Sequence, residues 1–364
     1  MEIFHIDEDI RKSETLPSSF YRERAWFERS ISEIWEKCWI FIGDNTDQAS
    51  VGTLTPMVLL PDVLNEPVVL STDSDGEVYC LSNVCTHRGK LVVSSSCSGQ
   101  RILRCGYHGR CFRLNGTFKS MPEFDQTENF PTERDHLKQL PLATFFPLYF
   151  TSINPLASFA TFIQPMLDRV SFLPLHTLTF NPDASKDFDV RAHWALYVDN
   201  YLEGFHIPFV HPALNQAIEF EKYEYHLFEW GNLQIGVAAD DEPYFNTPKG
   251  HVDEGKKIYA YYFWIFPNLM FNFYPWGLSL NVVEPKGHKM TVVKFRSYYF
   301  EGTSFDREKN QLDVTELEDE EVVESVQMGM QGRYYNRGRY SVNMEINVHH
   351  FHRILSNTLN KQKD

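Results

Sequence analysis

Residues 85–108 read CTHRGKLVVSSSCSGQRILRCGYH and twice place a cysteine just before a histidine. Cys85-x-His87 comes first, and seventeen residues separate His87 from the second pair, Cys105-x2-His108. Thiolate with imidazole suits iron or zinc. Zinc fingers usually group their cysteines and their histidines, whereas each short segment here supplies one of each. That alternation suits a two-iron cluster gripped by two loops, with Cys85 and Cys105 on one iron and His87 and His108 on the other. Neutral imidazoles in place of two anionic thiolates make an added electron easier to accept. Gly89, Gly106 and Gly109 would let backbone amides approach the sulfides. A fold around this stretch must therefore bring two distant turns together.

The flanking chain has the texture for it. From about 45 to 148, runs such as TLTPMVLL, EPVVLST, EVYCLSNV and CFRLNGTF alternate with Gly, Asp, Asn and Ser, which predicts a compact antiparallel β domain. Residues 73–76 and Asn115-Gly116 are turn signals, and the polar stretch 122–140, with Pro122 and Pro131, reads as a boundary loop. Here the chain resembles the Rieske domain of the Rieske non-haem iron oxygenases. That family usually writes its two segments CPHRG and CPYHGW, and this chain has CTHRG and CGYHGR. All four ligands match. Thr86, Gly106 and Arg110 replace Pro, Pro and Trp in the supporting shell, where they bear on potential or partner docking and not on ligand number. Cys38, Cys80, Cys97 and Cys111 have no partner at such spacing and are expected to be small packed side chains.

A cluster alone moves one electron, yet the chain has 364 residues, enough for two domains. The informative remainder is DNYLEGFHIPFVHP at 199–212. His206 and His211 do not form HExxH, so the zinc-protease reading fails. Their spacing does not share a helical face, but a helix over 191–206 should end by Ile207 ahead of Pro208. A histidine at the helix end and one past the break can then converge on a metal. Taken alone, two histidines packed into the fold would be the simpler reading. With a redox cluster upstream, two His and one carboxylate on Fe(II) are expected, leaving positions for O2 and substrate. Elsewhere the pattern predicts a helix at 158–170 interrupted at Pro165, a loop at 181–187, aromatic strands over 258–276 and 288–300, an acidic helix at 315–330 and a closing helix over 343–359. The fold class is α+β.

The resemblance extends over most of the chain and implies the rest. It places 1–44 as an N-terminal helical segment on the catalytic domain, 45–148 as the Rieske [2Fe-2S] domain and 149–364 as the mononuclear iron domain. The latter is expected to be a helix-grip (StAR-related-like) fold with a large antiparallel sheet. The family carboxylate precedes a Gln in an acidic segment, so EDEEVVESVQ offers Asp319, eight residues before Gln327, with Glu316 and Glu318 as rivals. Glu203 resembles the bridging carboxylate that joins an iron-ligand histidine to a cluster-ligand histidine, here His108, of the neighbouring subunit in a homotrimer. Ring-hydroxylating members often carry Asp there, and members acting on trimethylammonium compounds, such as choline and carnitine monooxygenases, tend to carry Glu. Phe205, Phe209, Phe266, Asn268 and Phe271 are candidate cavity neighbours. The usual NWK before the histidine helix is His193-Trp194-Ala195, so support there should differ.

The implied activity is reductive O2 activation, with hydroxylation or N-demethylation of a small organic substrate. Aromatic ring dihydroxylation is the alternative within the family, and an electron carrier or redox sensor without turnover is the alternative outside it. The sequence has no dinucleotide fingerprint and no plant-type cluster motif. Oxidation of NADH or NADPH is therefore expected to fall to a separate flavin/iron-sulfur reductase, with or without a ferredoxin. The net charge of −15 disfavours nucleic acid; solubility is the simpler reading of it, and it also suits a cationic substrate or a basic partner. The start MEIFHIDEDIRK lacks the pattern of a secretion signal, and no apolar run approaches a membrane span. A cytoplasmic protein is expected.

Overall fold

Residues 4–48, 50–212, 215, 223–239, 242–304 and 312–360 are described by the computed structural model. Two units partition the chain, one of Glu36–Pro155 and one of Met1–Trp35 with Leu156–Asp364.

The short apolar runs of Glu36–Pro155 become β1 (Ile40–Asp44), β2 (Leu54–Leu59), β3 (Glu66–Thr72), β4 (Val78–Ser82), β5 (Leu103–Arg104), β6 (Cys111–Phe112), β7 (Phe118–Ser120), β8 (Gln139–Leu140), β9 (Leu142–Phe145) and β10 (Leu148–Thr151). They form three antiparallel sheets, ordered β2-β3-β4-β8, β5-β6-β7 and β1-β10-β9. Val69, Leu81, Leu103 and Phe112 are fully buried between the first two sheets, together with Cys85 and Cys105. Each large side chain buried this way contributes about 1.5–3 kcal/mol. The Asn115-Gly116 turn lies against this core. Gly116 has φ +85°, and a Cβ there would meet Leu81 Cδ2 at 2.9 Å. The stretch 122–140 is not a boundary loop as expected. Leu137 enters the core, and Gln139–Leu140 pairs with β4, because one apolar side chain and two ladder residues suffice to fasten a polar segment.

The other unit opens with α1 (Ser18–Arg22) and α2 (Arg24–Ser30), which continues through a π-turn over Ile31–Trp35. It continues with α3 (Phe159–Val170), β11 (Thr179–Val190), α4 (Trp194–Tyr201), α5 (Ile207–Val210), β12 (Glu224–Phe228), β13 (Gly231–Val237), β14 (Ile258–Ile265), β15 (Leu269–Tyr274), β16 (Gly277–Pro285), β17 (Thr291–Tyr299), α6 (Leu312–Gly329) and α7 (Ile346–Asn360). One antiparallel sheet runs β11-β17-β16-β15-β14-β13-β12. Three local expectations change. Pro165 sits inside α3 without breaking it, Ser158 capping the start by accepting from Thr161 N–H at 3.2 Å. Residues 181–187 lie within β11, where the register shifts between Asn181 and Lys186: the polar residues form a bulge in the strand. α4 stops at Tyr201, and Pro208 stands in the first turn of α5, where its missing N–H leaves no bond unmade.

The sheet's register decides what faces the helices. Tyr225, Gln234, Tyr262, Asn272, Ser279 and Ser297 lie opposite one another strand by strand, so they share a face. α4 packs on it: Tyr201 Oη donates to Asn272 Oδ1 at 2.7 Å, and Gln234 Nε2 donates to the Tyr201 carbonyl at 2.9 Å. α7 covers the same face, with Phe351 edge-on to Trp264 at 5.1 Å and to Trp194 at 5.9 Å.

At the Asn position of the family's NWK, His193 gives α4 a buried neutral cap, and Ala195 stands where the Lys would be. His193 Nδ1 accepts from Ala195 N–H at 3.3 Å, its own N–H donates to Gln327 Oε1 at 2.8 Å, and Phe20 and Tyr21 pack edge-on against the ring. Burial pushes its pKa down from 6.5 to about 3. The unfolded chain therefore takes up a proton there near pH 6.5 while the folded chain does not until about pH 3, so stability falls as pH falls through that window. The slope from this one group approaches about 1.4 kcal/mol per pH unit. Thermal unfolding of His193→Asn between pH 4 and 7 should show a flatter pH dependence than the parent protein, and parallel curves would rule the effect out.

Candidate iron sites

In Glu36–Pro155 the two ligand loops repeat one design. Cys85 N–H donates to the Lys90 carbonyl at 2.9 Å and Cys105 N–H to the Arg110 carbonyl at 2.8 Å. Gly89 and Gly109 N–H donate back to the Cys85 and Cys105 carbonyls at 3.0 and 3.1 Å. These tight turns need left-handed backbone at the glycines, with φ +72° and +73°. Cys85 and Cys105 are buried, whereas His87 is partly exposed and His108 exposed, with ring centroids 4.8 Å apart. Burial, with neighbouring Cys105 adding to it, pushes the Cys85 thiol up. Burial and then His108 hold His87 down, in the neutral form a ligand needs. Two buried cysteines beside two imidazoles whose rings lie 4.8 Å apart are the donor set of a mixed Cys/His cluster and fit it. Cys38, Cys80 and Cys111 are buried and Cys97 is exposed.

The second site is built around α5, whose four residues hold His206 at one end and His211 at the other. A single turn between them brings their rings to 5.0 Å. α6 supplies Asp319, whose Oδ1 lies 3.0 Å from His211 Nε2 and 3.5 Å from His206 Nε2. One donor atom from each of the three residues lies within 4.8 Å of the others, a set that fits a two-His-one-carboxylate ion. Each ring is oriented from behind. His206 Nδ1–H donates to Glu203 Oε1 at 2.7 Å, and Glu203 Oε2 accepts from His206 N–H at 3.0 Å. His211 Nδ1–H donates to Glu318 Oε2 at 2.8 Å. Carboxylates on both Nδ1 atoms fix the tautomer that turns Nε2 toward a metal. Burial disfavours charge on His211, but Asp319 and Glu318 outweigh it and hold its pKa above the ordinary value, so the pocket welcomes a cation.

The three candidate acids of α6 thus separate. Asp319 reaches both Nε2 atoms, Glu318 holds a ring, and Glu316 is buried with its carboxylate accepting from Tyr197 Oη at 2.7 and 2.8 Å. Glu203 and His206, three residues apart, would share a face on a continuous helix, but α4 has already ended at Tyr201. Glu203 lies in the turn after α4, and its hydrogen bonds arise from that turn. The candidate cavity residues divide as well. Phe205 and Phe209 are exposed, while Phe266, Asn268 and Phe271 are packed in the core, Phe271 on the sheet face opposite Asn272. Tyr201, Tyr223, Tyr262, Tyr274 and Asn272 were not singled out by motif. The signal was there in the alternation of Tyr262 with Trp264 and of Asn272 with Tyr274, which gives one strand face polar and aromatic residues.

A two-iron Cys/His module in one chain with a two-His-one-carboxylate site defines a cluster-fed non-haem iron oxygenase. Residues 50–131 match the family described as Rieske [2Fe-2S] domain, and 178–361 match Ring hydroxylating alpha subunit (catalytic domain). The chain belongs to this ring-hydroxylating alpha-subunit family. The carnitine monooxygenase oxygenase subunit of Escherichia coli (strain K12) is 25% identical, covering 94% of this chain and 93% of that one. The chloroplastic choline monooxygenase of Beta vulgaris is 26% identical over 98% of this chain and 80% of its own. In fold, the chain is similar to a quaternary ammonium Rieske monooxygenase solved with L-carnitine (TM-score 0.78, 21% identity, 98% of this chain and 99% of that one). It is also similar to naphthalene 1,2-dioxygenase from Rhodococcus (TM-score 0.73, 16% identity, 95% and 94%).

Outer carboxylates on metal-ligand histidines typically change metal affinity 10–100-fold. Fe(II) or Co(II) titration of metal-free Glu318→Ala should show about that loss at the second site, with Glu318→Gln closer to the parent; an unchanged affinity would make the Glu318 contact incidental.

Proposed function

We propose that this chain is the terminal oxygenase component that hydroxylates or N-demethylates a small quaternary ammonium compound. Cys85 and Cys105 hold one iron of the cluster and His87 and His108 the other, while His206, His211 and Asp319 hold Fe(II). When bound, these groups supply single electrons and a place for O2 to be activated beside the substrate. The observation that carries the reading is the convergence of His206, His211 and Asp319 with a carboxylate behind each imidazole. An electron carrier would leave those histidines in unrelated packing.

The chain's own residues do the positioning. Glu203 holds His206 through two hydrogen bonds and is the bridging carboxylate toward His108 of a neighbouring subunit in a homotrimer. The helix-facing side of β13–β17 carries no Asp, Glu, Lys or Arg, and it presents Tyr262 and Tyr274 with ring centroids 5.9 Å apart. Tyrosine faces attract an alkylammonium cation without a counter-charge. Burial first, and neighbouring phenols next, push the Tyr201 and Tyr262 hydroxyls well above the ordinary tyrosine value, so they stay neutral donors. The relatives named for carnitine and choline point to the same substrate class. The seven-stranded antiparallel sheet with α7 laid on it supports a helix-grip fold. Electrons come from NADH or NADPH through a separate flavin/iron-sulfur reductase, with or without a ferredoxin. Among the described residues no helix is long and apolar enough to cross a membrane, and we place the enzyme in the cytoplasm.

A screen of quaternary ammonium and aromatic compounds with a generic reductase, following O2 uptake together with formaldehyde, tests the reading. Formaldehyde matched to O2 uptake supports demethylation, whereas a diol or phenol from an aromatic compound would overturn the substrate class. His206→Ala should lose product and the third iron while keeping the cluster's visible spectrum. Glu203→Gln should keep both metal sites yet slow turnover by at least tenfold.

A further inference from the structure

Two of the departures from the family's cluster segments, Thr86 for Pro and Arg110 for Trp, meet at one residue. Thr86 Oγ1 donates to the Asp135 carbonyl at 3.0 Å. Arg110 Nη2 donates to that same carbonyl at 3.1 Å and to Asp135 Oδ1 at 2.6 Å. Asp135 is itself held: Thr132 N–H and Oγ1 donate to its Oδ2 at 2.7 and 3.1 Å. The first ligand loop, the second ligand loop and the Thr132–Asp135 turn are thus tied at a single point. Arg110 is 2% exposed, and its guanidinium lies 4.9, 5.3 and 5.7 Å from the ring centres of Phe118, Phe130 and Phe112.

A buried guanidinium is costly to desolvate and cannot shed its proton. Its charge is therefore fixed, and aromatic walls screen it far less than water would. It stands two residues after His108, on the loop whose first N–H bond is Cys105 to the Arg110 carbonyl. An added electron makes the cluster more negative, so a fixed positive charge there favours the reduced form and the Asp135 carboxylate opposes it. A tryptophan at this position could pack but could not carry charge. We propose that Thr86, Arg110 and Asp135 form a clasp that closes the two ligand loops on each other and sets the cluster's reduction potential through the buried Arg110 charge. The inference rests on the four cluster ligands assigned above.

The test uses the full-length, iron-loaded protein. Iron content and the electron paramagnetic resonance signal of the reduced cluster are measured first, then the midpoint potential by redox titration of the visible spectrum. Arg110→Met should lower the midpoint and Asp135→Asn should raise it, each by about a tenfold change in the reduced-to-oxidised ratio, or about 59 mV. Arg110→Lys should stay near the parent. Opposite shifts from the two partners are something that mere loosening of the loops would not produce. Thr86→Val, which removes a tie and no charge, should leave the midpoint in place and hasten cluster loss to a chelator. Should Arg110→Met fail to hold a cluster, Asp135→Asn still decides, since an unmoved or lowered midpoint overturns the proposed tuning. Shifts of the same sign, or a Thr86→Val protein that keeps its cluster as long as the parent, overturn it too. A parent protein with no two-iron signal overturns the ligand assignment and the clasp with it.

Discussion

Asp319 Oδ1 within reach of both His206 and His211 Nε2 is the constraint on which the catalytic unit depends. To meet it, α4 must end at Tyr201, the chain must turn through Glu203, α5 must last a single turn, and α6 must run past with its acidic face inward. Each piece has a local cause. His193 caps the start of α4, Pro208 suits the first turn of α5, and Gln327 ties α6 to the His193 backbone at 2.8 Å. Strands β13–β17 then serve as a wall whose helix-facing side is aromatic and polar but free of formal charge.

The cluster unit solves a similar problem by repetition. Two loops from different strands make the same pair of backbone hydrogen bonds, so each presents a cysteine inward and a histidine outward. Burial separates the donors by type: thiols face the core formed by Leu81, Leu103 and Phe112, and imidazoles face outward.

Much of this was legible from residues 85–108 and 199–212, because ligand chemistry tolerates few substitutes and its spacing survives in one dimension. The α+β class followed from the contrast between short alternating runs and longer helical periods. What was hidden depended on tertiary neighbours. Nothing local separates Asp319 from Glu316 and Glu318 in a crowded acidic run. The distinction comes from Tyr197 claiming Glu316 and His211 Nδ1 claiming Glu318. Pro165 and Pro208 misled for a related reason: proline forbids a donor, yet a helix tolerates it wherever that donor has nothing to bind or packing holds the turn. The bulge in β11 looked like a loop because its residues are polar, although both ends remain paired to β17.

The single turn of α5 also bears on how this enzyme can diversify. Adding or removing one residue between His206 and His211 would swing the second imidazole about 100° around the helix axis, away from both Asp319 and Glu318. Side chains of the sheet wall can change one at a time without disturbing the metal donors, but the length of that turn cannot. Grafting this centre onto another scaffold would mean transplanting Glu203 to His211 as an indivisible cassette, together with the Glu318-Asp319 pair.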